Sequence, residues 1–111
     1  MNYHNKTFRV VNNSDNGQTG SETLFHYRQE GNLLYADYAG GDIKKGHLMG
    51  TVSSEGKIAM VYHHMDGSGE IKTGKCSSVP EIMDNGKIRL HETWTWTSGD
   101  NSSGTSTLEE V

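Results

Sequence analysis

Apolar and polar side chains alternate with a period of two through most of the chain. Between residues 87 and 97, Ile88, Leu90, Glu92, Trp94 and Trp96 fall on one side, and Arg89, His91, Thr93, Thr95 and Thr97 on the other. This is the pattern of a strand that turns one face to a core. Ile58, Met60 and Tyr62 share a side in the same way, although Ala59 and Val61 make the opposite side partly apolar. Leu34, Ala36 and Tyr38 oppose Leu33, Tyr35 and Asp37. Gly46, Leu48, Gly50 and Val52 form a further set, and Gly74 and Cys76 share a face. No stretch sustains the i, i+3, i+4, i+7 apolar spacing of an amphipathic helix.

Turn chemistry punctuates these segments at short intervals. It occurs at Asn13–Gly17, Gly31-Asn32, Gly40-Gly41, Glu55-Gly56, Asp66-Gly67, Asp84–Gly86 and Ser98–Asn101. Residues of these types supply the positive φ that tight hairpins require. Seven turns divide the chain into eight strand-length segments, and Pro80 falls where a strand should end or bulge. A sandwich and an up-and-down barrel both accommodate eight sequential hairpins. Short connections and glycines inside strands, which permit sharp coiling, favour one all-β domain over residues 1–111, an eight-stranded antiparallel up-and-down β-barrel. A five-stranded OB-type barrel would leave three segments unexplained.

Composition changes the picture in one respect. Leu, Ile, Val and Phe contribute only 19 of 111 residues, a scarcity that can accompany disorder. The net charge is only −4, however, and nine aromatics and five Met take the place of the missing aliphatics. Scattered Lys and Arg give no phosphate-tracking stripe, which argues against a nucleic-acid partner. No apolar run approaches the ~20 residues of a membrane-spanning helix. The opening Met1–Lys6 has no apolar stretch and Cys76 is alone, which predicts a cytoplasmic setting without a leader or internal disulfide.

Glu92 is the sharpest anomaly, a carboxyl between Leu90 and Trp94 on a face that otherwise reads as core. An isolated carboxylate there costs several kcal/mol or stays protonated. It therefore calls for a partner: Arg9 or Arg28, tyrosine hydroxyls, water or a ligand. One reading makes it a structural carboxylate. The other makes it a polar anchor in a ligand pocket walled by Tyr38, Tyr62, Trp94 and Trp96. The rings carry the same ambiguity. Each Trp buries enough surface for an upper bound of ~4–6 kcal/mol, so the rings can be the core itself or the lining of a cavity.

Metal and nucleophilic chemistry find little support. His63 and His64 are adjacent and point to opposite faces of a strand, as do His91 and Glu92. No H-x-H, C-x-x-C or H-E-x-x-H occurs, so neither metal nor cofactor is expected and the six histidines read as exposed strand or loop residues. Cys76, in Gly74-Lys75-Cys76-Ser77-Ser78, reads as a small buried hydrophobe.

The run Gly86–Asp100, which contains Glu92-Thr93-Trp94-Thr95-Trp96-Thr97-Ser98-Gly99, is followed by Gly104-Thr105-Ser106-Thr107-Leu108. Together they resemble the last hairpin of avidin-type, calycin-like barrels. Leu34, Tyr38 and Gly40 are similar to that family's third strand. The resemblance implies that Trp94 is a barrel-wall ring, Tyr38 an interior hydroxyl and Tyr62 the counterpart of another wall Trp. Val10 stands where avidins place an Asn that grips the biotin ureido group, so the resemblance implies the barrel more than biotin binding. The chain is also similar to a family of small bacterial single-domain proteins often labelled N-acetylglutamate synthase. Its signs are Phe25-His26-Tyr27, Tyr38–Ile43, Gly46–Gly50 and the Trp-Thr-Trp run. That label would need an acyl-CoA-binding α/β fold, of which these residues show no trace.

The expected function is a barrel binding a small apolar or aromatic molecule without catalysis, with an enzyme ranked last. The alternative is a solid-packed interaction module whose Thr93, Thr95 and Thr97 face pairs it with partners or as a homo-oligomer.

Overall fold

The computed structural model describes all 111 residues, and strands and turns account for the whole chain. The eight strands are β1 (Lys6–Asn13), β2 (Leu24–Glu30), β3 (Leu33–Gly40), β4 (Ile43–Val52), β5 (Ile58–Asp66), β6 (Ile71–Ile82), β7 (Ile88–Trp96) and β8 (Ser103–Glu110). Each pairs antiparallel with the next, and β8 returns to β1 to close the barrel. The up-and-down β-barrel expected from the alternation is the observed fold. No helix is long and apolar enough to cross a membrane.

Strict alternation sets the inner face. On β7, Ile88, Leu90, Glu92, Trp94 and Trp96 are all buried, and His91 and Thr93 between them are exposed. On β3, Leu34, Ala36 and Tyr38 point inward and Leu33 outward. Pro80 lies inside β6 rather than at its end. It sits beyond Ser78, the last β6 residue paired with β5, in a segment held only by β7. With no neighbour on that side, a residue lacking an N–H is tolerated.

Three inward glycines shape the interior. Gly46, Gly74 and Gly104 stand opposite Tyr38, Tyr62 and Trp94 in the strand pairing. A Cβ at any of the three would overlap the facing ring. The bare backbone thus lets each ring lie across the neighbouring strand, which covers the glycine and curves the sheet.

The barrel's two ends differ. At the end that holds the N-terminus, Tyr3, Phe8 and Tyr27 pack ring against ring, with centroids 4.8–6.2 Å apart. Tyr3 plugs this end and donates its hydroxyl to the Gly56 carbonyl at 2.5 Å. Leu34, Leu90 and Leu108 fill the space above it, each 1 % exposed or less. The opposite end is covered by the ten-residue β1–β2 connection, and there the packing is incomplete.

Candidate functional site

Beneath the β1–β2 connection lies a cavity of about 50 Å³. Tyr38, Tyr62, Glu92, Trp94 and Trp96 all line it, so the structure brings together the five residues singled out by the alternation. The aromatic wall is continuous. Trp94 and Trp96 meet at 5.5 Å, Tyr62 stands edge-on to Trp96 at 5.8 Å, and Phe25 stacks on Tyr38 at 4.6 Å. Each indole N–H is satisfied near the cover, Trp94 by the Asn13 side chain at the end of β1 and Trp96 by the Asn16 carbonyl in the connection.

Glu92 forms the floor. In the strand pairing it stands directly between Ser78 on β6 and Ser106 on β8. Ser78 donates its hydroxyl to Oε2 at 2.8 Å, and Ser106 donates to Oε1 at 3.0 Å. Of the partners the sequence left open, an Arg is ruled out: Arg9 and Arg28 occupy outward positions beside inward Phe8, Val10 and Tyr27. Period-two geometry forbids them the interior. None of the ion pairs in the structure involves Glu92. Burial therefore raises the carboxyl's pKa, and the serine hydroxyls pull it back only in part.

His64 corrects a second expectation. It is 2 % exposed, an inward residue of β5 rather than a surface histidine. Its Nδ1 accepts the Tyr38 hydroxyl at 2.9 Å, and its Nε2 lies 2.7 Å from Oε1 of Gln18. Gln18 in turn donates Nε2–H to Asp66 at 2.9 Å. Donors and acceptors alternate along this row if the imidazole is neutral with its proton on Nε2. Burial favours that form and lowers the His64 pKa to about 4. Asp66 anchors the row's end; hydrogen bonds from Ser68 and Gln18 hold its carboxyl well below the usual range.

Cys76 is buried beside Ser78, and burial pushes its thiol far up, with the charge of Glu92 adding to the effect. A thiolate nucleophile does not form there at neutral pH. Sequence reasoning missed Ser78, Ser106, His64, Gln18 and Asn13. The two serines carried a signal, since each continues an inward alternation (Gly74, Cys76, Ser78 and Gly104, Ser106, Leu108). Nothing local pointed to Gln18 or Asn13, which reach the site through loop path and barrel closure.

The architecture is a closed antiparallel barrel packed solid at one end, with a capped aromatic cavity and one buried carboxyl at the other. Residues 1–111 match the family model described as avidin-like protein, and the chain belongs to that family. Neither the curated proteins nor the solved structures gave a match.

Proposed function

We propose that this protein binds a small apolar or aromatic molecule in the capped half of its barrel. The observation that carries the reading is the combination of an aromatic wall with a polar floor under a cover held largely by side-chain hydrogen bonds. A barrel that needed these rings only as core would have no reason to keep Glu92 among them, because an apolar residue there avoids the desolvation cost.

The present volume sets a condition on binding. About 50 Å³ has room for a few water molecules, whereas ligand pockets usually span ~300–1,000 Å³. Entry of a ring-sized guest therefore requires Gln18 to release His64 and Asp66 and the β1–β2 connection to lift. Gln18 is the displaceable part of the site.

Native mass spectrometry of freshly purified protein tests the proposal, together with indole N–H signals of Trp94 and Trp96 during titration with indole and benzyl alcohol. A retained small-molecule mass or saturable indole shifts are expected. An unliganded mass with invariant indole signals throughout would sink the pocket reading.

A second reading rests on the outer face. Met49 and Val61 pair across β4 and β5 with 51 % and 63 % exposure, and Lys75 and Thr95 continue the row. That row suits a protein partner or a second copy. Sedimentation at two concentrations checks it, and an unchanging monomer would exclude the second copy.

A further inference from the structure

The chemistry at the floor of the cavity narrows the ligand class, an inference that rests on the pocket reading above. We propose that the guest carries a protonated amine, which Glu92 receives as counter-ion while the surrounding rings hold the ammonium and its carbon body.

Glu92 is buried, and its two oxygens accept one serine hydroxyl each, an arrangement that suits a carboxylate. Yet no Lys or Arg reaches it. The serines spend their protons on Glu92 and offer a guest none. Tyr27 lies within electrostatic reach of the same carboxyl, and its fully buried hydroxyl has no hydrogen-bond partner. Glu92 presents its remaining oxygen lone pairs at the floor of the cavity, and the wall presents the electron-rich faces of Tyr and Trp rings. An ammonium supplies both a positive charge beside Glu92 and donors for its open lone pairs.

Trp96 already shows such a contact. Nζ of Lys72 lies over its ring, 5.2 Å from the centroid. That ammonium belongs to the rim, where it is 3.8 Å from Glu70, and it does not pair with Glu92. Asp66 stands at the same end, so the entrance carries carboxylates beside its lysine. A guest ammonium would occupy the level below.

The binding step balances simply. At neutral pH the guest arrives as an ammonium, and burial of Glu92 favours its protonated form, so whatever fraction of the carboxyl holds a proton releases it to solvent as the ion pair forms. Amine binding therefore releases up to one proton per guest, whereas a neutral guest of the same shape releases none.

Benzylamine and benzyl alcohol are the probes, titrated at pH 7 into the full chain by calorimetry in phosphate and in Tris, whose different protonation heats report the proton count. Benzylamine is expected to bind at least tenfold more tightly than benzyl alcohol, with any proton release confined to the amine. In Glu92→Gln the preference and the release should both vanish. Equal affinities in the wild type would overturn the amine assignment and leave the pocket reading standing. If neither probe binds, both readings fall. The affinity ratio comes from the wild-type protein, so the test survives a variant that does not fold.

Discussion

Oε1 of Gln18, in the β1–β2 connection, lies 2.7 Å from Nε2 of His64 on the barrel wall. The contact joins residues 46 positions apart and closes the cavity from above. Cutting it should open the site. Gln18→Ala is expected to lower stability by about 1 kcal/mol, the worth of an ordinary hydrogen bond. Amide exchange across residues 14–23 should accelerate, and the tryptophan emission should shift to longer wavelength as water reaches Trp94 and Trp96. Unchanged exchange in that segment would show that other contacts hold the cover.

Acid should loosen the same end. His64 is kept neutral by burial, with a pKa of about 4 against an ordinary 6.5. Between those values the unfolded chain binds the proton and the folded one does not, so stability falls as pH drops from 6.5 toward 4. The shift corresponds to about 2 kcal/mol once discounted for solvent screening near the loop. Asp66, depressed chiefly by Ser68 and then Gln18, adds its loss only below its ordinary 3.8. Denaturant unfolding of wild type and His64→Gln at pH 7 and pH 5 checks this. The variant should lack most of the decline.

Glu92 has the opposite sign. Its folded pKa is raised, so as pH climbs from 4.5 to that value the unfolded chain loses the proton first and stability falls. His64 opposes this trend between about 4 and 6.5, so variant and wild type are compared at each pH, where its share cancels. Glu92→Gln keeps partners for Ser78 and Ser106 and cannot ionise. Its melting temperature should fall less than that of the wild type as pH rises above 4.5 through the raised value of Glu92, while the decline due to Cys76 near pH 9 is shared by both. Parallel curves would mean that Glu92 titrates as a surface carboxyl does.

The glycine–ring pairs give a comparison within one barrel. Gly46→Ala drives a methyl into the Tyr38 ring, which Phe25 backs at 4.6 Å. The ring has nowhere to go, and a cost of about 1–3 kcal/mol is expected for the overpacking. Gly74→Ala meets the hydroxyl end of Tyr62, a half-buried side chain able to swing outward. Its cost should be smaller. Urea midpoints of the two variants decide the order, and a reversed order would contradict this account of ring confinement.

Much of this molecule is legible along the chain because a strand's inside and outside follow from parity alone. The places of Leu34, Tyr38, Met60, Glu92 and Trp94 on the inner face needed only the alternation, and the turns needed only their Gly, Asn and Asp residues. The partner of Glu92 was not legible in that way. Parity could have placed Arg9 and Arg28 outside, but Ser78 and Ser106 become neighbours of Glu92 only through the register of three strands. A one-residue slip in either pairing would remove them. His64 was misjudged because its neighbour His63 made the pair look like surface, although parity with Tyr62 already turned His64 inward.

The amino-acid sequence by itself therefore determined eight strands, their inner faces and the presence of a carboxyl among aromatic rings. These are local consequences of side-chain period and turn preference. Tertiary structure alone decided that one end is packed solid by Tyr3, Phe8 and Tyr27 while the other keeps a cavity under Gln18. It also decided that no cation reaches Glu92. Both depend on barrel closure, which brings residues far apart in the chain to one level, and no local pattern records which residues will meet there.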